Sequence, residues 1–482
     1  MKTASELSSA GSSRCSRVCG HVSFVPVLPI TVRREEPRVC ALSLTEVRPT
    51  SRSIMAACRP SWLAILFVQF ITVGAFAVAW AVGQPEAKAL VAKQLWQQDA
   101  YPHVVVPRER PLVIAPLYDR PDLISDADLA AVLQKVQPRF PRESLKPNHV
   151  EHALRTWGVG AQFQDPAVLS GKELTEFLTD HGKFINSWGK TIAPLLQDLP
   201  TGVAIRFDRT DGGSIHHDHW LASLTEAGVR LKTPVYSPGR RNATIHTVLD
   251  QALRDFRLDE KETEWTALAF GLWIAPQHQW TGGDGRQYSF DLLSQRLRRG
   301  QKELGVCSGT HRVYSLMALI RLDDEFKETL SDAERKNVWA YLESVRDRIT
   351  ESQFPDGHWP SNWPEGKSAV EKPIVDEFKA VVIATGHHLE WLSIAPKELH
   401  PPEETIRRAM QWIIKTTKDN SQQTILDNYT FFSHIGKAGA MWRRTSPGAF
   451  WEEWEKKHPF VTSQAPASEA TEAAKPKSTE DH

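Results

Sequence analysis

This chain is short of cysteine, short of tyrosine and without net charge, and each shortage removes a class of explanation. Of 482 residues only five are cysteine: Cys15, Cys19, Cys40, Cys58 and Cys307. Four precede or open the one long apolar run, so Cys307 stands alone in the remainder and no intramolecular disulfide is available there. A lone cysteine is ordinarily a small buried hydrophobe, and a reactive or metal-bound thiolate is the alternative. Lysine plus arginine and aspartate plus glutamate stand at 58 each, a formal net charge of zero. That balance argues against a nucleic-acid binder, which carries a basic excess or patch. No P-loop, dinucleotide fingerprint, H-E-x-x-H or G-x-S-x-G with triad context occurs, which disfavours nucleotide-dependent and serine-hydrolase chemistry. The 7 Tyr are outnumbered by 17 Trp. Tryptophan suits the interior of helical repeats and equally the platforms that bind sugars, so the excess decides between neither.

What is present begins with an apolar run. Residues 61–83 carry no charge, with Arg59 before them and Glu86 after. A run of this length crosses the roughly 30 Å hydrocarbon layer as a helix. The basic N-terminal flank puts the N-terminus inside and the body outside. Residues 55–83 therefore read as a signal anchor, or as a signal peptide cleaved after Ala79-Trp80-Ala81. The first places the protein in the cell membrane, single-pass with an extracytoplasmic body; the second makes it secreted or periplasmic. Residues 1–54 have no sustained apolar period and read as a disordered leader, or as a misassigned start if Met55 begins the chain.

Residues 84–120 form a proline-punctuated linker with one short strand expected at Val104–Val106. Residues 121–205 read as a helical subdomain. Ser125–Asp128, Asn148–Glu151 and Ser170–Glu173 are helix-start patterns, because their side chains occupy backbone donors that the helix leaves free. A strand is expected within Thr201–Arg209. Residues 206–460 look periodic, with apolar helices led by His219, His246, His311, His387 and His434. More polar helices intervene at 264–270, 338–342 and 406–413. Alternation of this kind marks an array of helical pairs. Residues 461–482 have no large apolar residue after Val461 and read as a disordered tail. The fold class is all-α.

Gln353-Phe-Pro-Asp356-Gly357-His358-Trp359 resembles the Q-x-x-D-G-x-W core of the QW repeat, with a degraded copy at Trp280–Arg286. That repeat marks the α/α toroids of the terpenoid cyclases and protein prenyltransferases. The resemblance implies a toroid-like domain over residues 206–460, with the Asp-Gly turn capping a helix and the Trp packed between layers. It also implies zinc. Prenyltransferases hold zinc through an Asp, a nearby Cys and a distant His, and lanthionine-cyclase-like toroids use a Cys and a Cys-His pair. Here Cys307, His387 and His388 are the candidate metal ligands, with Gly305 standing where prenyltransferases carry the Asp.

Cys307, His311, His217, His219 and His387 are the candidate catalytic residues. Cys307 and His311 open one helix, and Ser214-Ile-His216-His217-Asp218-His219 gathers three imidazoles and a carboxylate after a glycine turn. Helix N-termini gathered at one mouth would suit a polysaccharide, an anionic small molecule or a protein ligand. Two functions fit: an enzyme with its site at that mouth, or a non-catalytic scaffold or binding module using the same surface.

Overall fold

The computed structural model describes residues 62–83, 105–208, 210, 212–300 and 307–460, less the side chains of 63–65. The leader, most of the linker before Val105, Gly305, Val306 and the tail lie outside the described residues. The chain divides into two units, Met1–Lys88 and Ala89–His482.

The first unit contains α1, Trp62–Val82, 21 residues with no charge and with Phe67, Phe70 and Val73 exposed. Among the described side chains no helix is long and apolar enough to cross a membrane; those of residues 63–65, inside α1, are not among them.

The second unit is mostly helical. In chain order it runs α2 (Asp126–Lys135), α3 (Pro147–Trp157), α4 (Gly171–Thr179), α5 (His181–Trp188), the hairpin β1 (Leu196–Leu199) and β2 (Gly202–Ile205), and α6 (His219–Glu226). A short pair β3 (Pro234–Val235) and β4 (Ala243–Thr244) leads to α7 (Ile245–Asp255) and α8 (Glu264–Ile274). The hairpin β5 (Gln279–Thr281) and β6 (Gln287–Ser289) precedes α9 (Phe290–Arg299), α10 (Thr310–Phe326), α11 (Asp332–Ser352) and α12 (Lys367–Glu371). The chain ends in α13 (Phe378–Ile394), α14 (Glu403–Asp419), α15 (Gln422–Asp427), α16 (Tyr429–Met441) and α17 (Pro447–Lys457).

Six of these helices touch in a closed cycle. Helix α3 packs on α6, α6 on α8, α8 on α10, α10 on α13, α13 on α16, and α16 returns to α3. The ring helices are buried nearly all round; every residue of α8 is buried. Around them lie amphipathic helices: α4 against α3, α9 and α11 against α8 and α10, α14 against α13, and α2 and α17 against α16. A helix apolar on all sides belongs inside and one with a single apolar stripe belongs outside, and the layering follows that rule.

The caps behave as expected at two starts. Ser125 caps α2 by accepting from the Asp128 amide, and Ser170 with Glu173 closes a full capping box on α4. The third differs: α3 begins at Pro147, whose missing N–H costs nothing at a first turn, before Asn148. The strand expected in 201–209 is β2. Val105 and Val106 form no strand.

Three expectations about organisation are corrected. Helix α3, from the expected separate subdomain 121–205, is a ring member. The helix led by His246 is not: α7 packs on β2 and the short strands, and His246 faces its own Asp250 at 3.3 Å, both half exposed. Residues 264–270, read as polar, lie in the fully buried α8. Local polarity at one residue, Glu264, had outweighed the ten that follow.

Residues 108–120 strap one end of the ring. Backbone amides of Arg108, Leu112, Leu117 and Arg120 donate to the carbonyls of Trp273, Leu272, Ser393 and Trp442 at 2.8–3.1 Å. Those carbonyls end α8, α13 and α16, where a helix leaves acceptors unsatisfied. The C-terminal ends of α8, α13 and α16 are thus gathered on one side.

At the QW-like sequence, Gln353 ends α11 and its amide donates to the carbonyls of Gly357 and Thr405. Gly357 sits at φ 107 with the Arg408 backbone against it, a position closed to any Cβ. The buried Trp359 donates to Ile349 O at 2.7 Å. The degraded copy is a β-hairpin, β5–β6, that buries Trp280 against Phe256, Phe270 and Phe290.

Candidate functional site: a ring of imidazoles on the axis

Each ring helix contributes one flat side chain to the axis. They are His152 from α3, His219 from α6, Trp265 from α8, His311 from α10, His387 from α13 and His434 from α16, all buried. Consecutive ring centroids lie 4.4, 4.3, 4.0, 4.1, 3.7 and 5.2 Å apart, closing the circuit from His152 back to itself.

The inner edges of these rings lack partners. Nε2 of His219, His311, His387 and His434 and Nε1 of Trp265 are buried with no hydrogen bond. Of the Nδ1 atoms, those of His387, His434 and His152 are hydrogen-bonded and that of His219 is not. Nδ1 of His387 lies 2.8 Å from Glu390, Nδ1 of His434 lies 3.1 Å from the same carboxylate, and Nδ1 of His152 lies 2.8 Å from the Asn148 carbonyl. Nδ1 of His219 is 2.6 Å from Glu151. A carboxylate on Nδ1, as Glu390 is on His387, fixes the tautomer and leaves Nε2 as the free lone pair, the arrangement that orients histidine toward a metal ion. Leaving a buried polar atom unpaired costs about 1–3 kcal/mol, so four such atoms on one axis call for an explanation.

Protonation states agree with the geometry. Burial, with neighbouring positive groups adding, pushes His152, His219, His311 and His434 well below the ordinary imidazole range, so they are neutral near pH 7. Neutral imidazole is the ligand form. Burial raises Glu151 to about 8, which makes it a carboxyl that keeps its proton at neutral pH beside His219.

At the rim of this layer sits Cys307. It, Ser308 and Gly309 all have left-handed backbone, φ 53, 59 and 78, a strained turn for the first two. Thr310 returns its amide and hydroxyl to the Cys307 carbonyl. The turn brings the thiol to the rings: ligand atoms of Cys307, His311 and His387 lie within 4.8 Å of one another. Burial, with Glu262 and Glu264 adding, drives the thiol pKa up, so nothing in the chain itself ionises it. His387, Glu390 and His434 form a second close trio, but Glu390 is engaged by both imidazoles and by Arg155.

One helical turn further along the axis is a layer of charge. Arg155 donates to Glu226 at 2.5 Å, to Glu390 at 3.2 Å and to His434 at 3.0 Å. Glu226 also accepts from Tyr314 at 2.8 Å and Lys437 at 2.7 Å. Burial alone would raise Glu226, but Arg155 and Lys437 prevail and hold it ionised.

Two expected residues belong elsewhere. His388 does not join His387: it packs against Trp359 and Trp363 and accepts from Trp391 at 3.0 Å. Adjacent helical residues point about 100° apart, so one imidazole of the pair must face outward. His217 lies outside the ring, 3.3 Å from Asp218 and 3.3 Å from Glu260, with His216 on Glu262 at 3.0 Å. Burial opposes charge on His217, yet the two carboxylates hold it at about 9. His387 and His434 sit inside their helices rather than leading them.

Glu151, His152, Arg155, Glu226, Glu390 and Lys437 were not among the expected site residues. Their signal was present as a repeated i, i+3 pair: His152/Arg155, His311/Tyr314, His387/Glu390 and His434/Lys437. That spacing stacks two side chains on one helix face, which is how the ring layer and the charged layer are both built.

The chain matches no family model, no curated protein and no solved structure.

Proposed function

We propose that this chain is an α/α toroid, tethered to a membrane by α1, whose axis holds a zinc-class metal centre on Cys307, His311 and His387. The observation that carries the reading is the meeting of one thiol sulfur and one nitrogen from each of two imidazoles within 4.8 Å, with Cys307 part-buried and both histidines buried. Thiolate and imidazole are the donors zinc prefers, and three protein ligands leave its fourth position open, as in catalytic rather than structural sites. A zinc ion so held supplies Lewis acidity. Glu390 fixes the His387 ring from behind, and Glu151 carries the proton that acid–base chemistry in this layer requires. The toroid reading rests on the closed six-helix cycle and the QW-like turn. The membrane reading rests on the uncharged run of α1, about 31 Å long at 1.5 Å per residue, with the body extracytoplasmic.

Metal analysis of the purified full-length protein tests this. One zinc per chain, lost in Cys307→Ala and in His387→Ala but kept in His388→Ala, supports the centre. A metal-free chain whose Cys307 alkylates as an ordinary thiol sinks it. The alternative is a non-catalytic scaffold or a glycan- or protein-binding module. It is favoured by the burial of the imidazole layer, and it predicts a metal-free chain with no loss of partner binding when Glu151 is changed to Gln.

A further inference from the structure

The opposite mouth, where the ring helices end, contains a cavity of about 260 Å3 that the metal reading does not use. Its volume lies just under the roughly 300–1,000 Å3 of sites for drug-sized ligands, so it fits a smaller molecule. Leu112 and Ile114 of the strap and Leu272 and Met441 of the ring wall it with hydrocarbon. Arg155, Glu226, Tyr314 and Lys437 line its polar end.

Counting donors and acceptors at that end says what a ligand must offer. Glu226 uses three of its roughly four acceptor sites, on Arg155 Nε, Tyr314 Oη and Lys437 Nζ. Arg155 uses Nε and Nη1, while its Nη2 is buried with no partner on a side chain only 1% exposed. Lys437 shows a single hydrogen bond for its three N–H groups. The surplus is therefore of donors, and the ligand must bring an acceptor. Charge then selects among acceptors. Arg155 and Lys437 are already balanced by Glu226 and Glu390, so a carboxylate would add an uncompensated negative charge to a buried site. A neutral carbonyl oxygen adds none.

We propose that this cavity binds a small uncharged molecule with an apolar body and one carbonyl oxygen, the oxygen received by Arg155 Nη2 and Lys437 Nζ and the body by the leucine and isoleucine wall. The site is independent of the metal centre and stands or falls without it.

Hexanamide and hexanoate, alike in shape and different in charge, are the probes. Each is titrated calorimetrically at pH 7.5 into the full chain in lipid nanodiscs, both stripped of zinc and supplied with it. Hexanamide should saturate one site in the millimolar range or below, with hexanoate at least about tenfold weaker. Ile114→Trp, which fills the wall from the strap, should abolish hexanamide binding and leave the thermal midpoint and zinc content unchanged; Leu112→Trp serves the same purpose should Ile114→Trp fail to fold. No saturable hexanamide binding, hexanoate binding as tight as the amide, or full binding in a folded wall-filling variant would each overturn the proposal.

Discussion

Four ring helices carry a histidine and, three residues on, a second polar side chain, and the two members of each pair live in different chemistry. In the charged layer Arg155, Glu226, Glu390, Tyr314 and Lys437 bond one another, with donors left over on Arg155 and Lys437, and the carboxylates stay ionised in spite of burial. In the imidazole layer His387, His434 and His152 are held through Nδ1, while Nε2 of His219, His311, His387 and His434 has no hydrogen bond. The imidazole layer is the more deeply buried of the two, where an unpaired nitrogen is costlier still. A layer whose charges are paired is a fastening; a layer that leaves four buried imidazole nitrogens without partners is arranged for something it does not itself supply.

The contrast is broken most directly at Arg155. Arg155→Met removes the common partner of Glu226 and Glu390 and leaves buried charge uncompensated, so urea unfolding should show a loss of about 3–5 kcal/mol. A loss below about 1 kcal/mol would mean that the charged layer is not the fastening described. The imidazole layer should answer oppositely. In zinc-free protein His311→Leu should change stability by less than about 1 kcal/mol, because Nε2 has no hydrogen bond to lose. With zinc at a hundred times its Kd the parent chain should gain about 2.7 kcal/mol and His311→Leu nothing. An equal gain in both would remove His311 from the ligand set.

The smallest effect is in pH. Glu151 is raised by burial from an ordinary 4.5 to about 8, so the folded chain holds a proton that the unfolded chain has released. Its contribution to stability is complete below about pH 4.5 and is lost as pH rises through about 8. The four depressed histidines act with the opposite sign and only below about 6.5, where the unfolded chain takes up protons. Between pH 6.5 and 8 stability of zinc-free protein should therefore fall with pH, and Glu151→Gln should make that fall shallower, leaving the part contributed by His217, which is held at about 9. Parallel curves for the two proteins would place Glu151 outside the buried layer.

Much of this was legible locally. The capping serines 125 and 170, the turn at Gly357 and the apolar run at α1 depend on neighbours within a few residues, and they read from the chain alone. His311 and Cys307 read as a pair because a turn and a helix start lie within five residues of each other. His388 was misplaced because a His-His pair states composition and not direction. Arg155 went unseen because its partners, Glu226 and Glu390, are distant in the chain, and because α3 reads as the start of a separate subdomain.

By itself the sequence determined that this is a helical chain with an uncharged N-terminal run, a single body cysteine and a histidine recurring through its apolar helices. Those features follow from side-chain periodicity and capping, which are local. Only the tertiary structure decided which histidines share an axis. Closing six helices into a cycle requires α16 to meet α3 across almost the whole body, and no local pattern encodes that contact. The same closure turns His387 inward, His388 outward, and brings Cys307 to the imidazoles it faces.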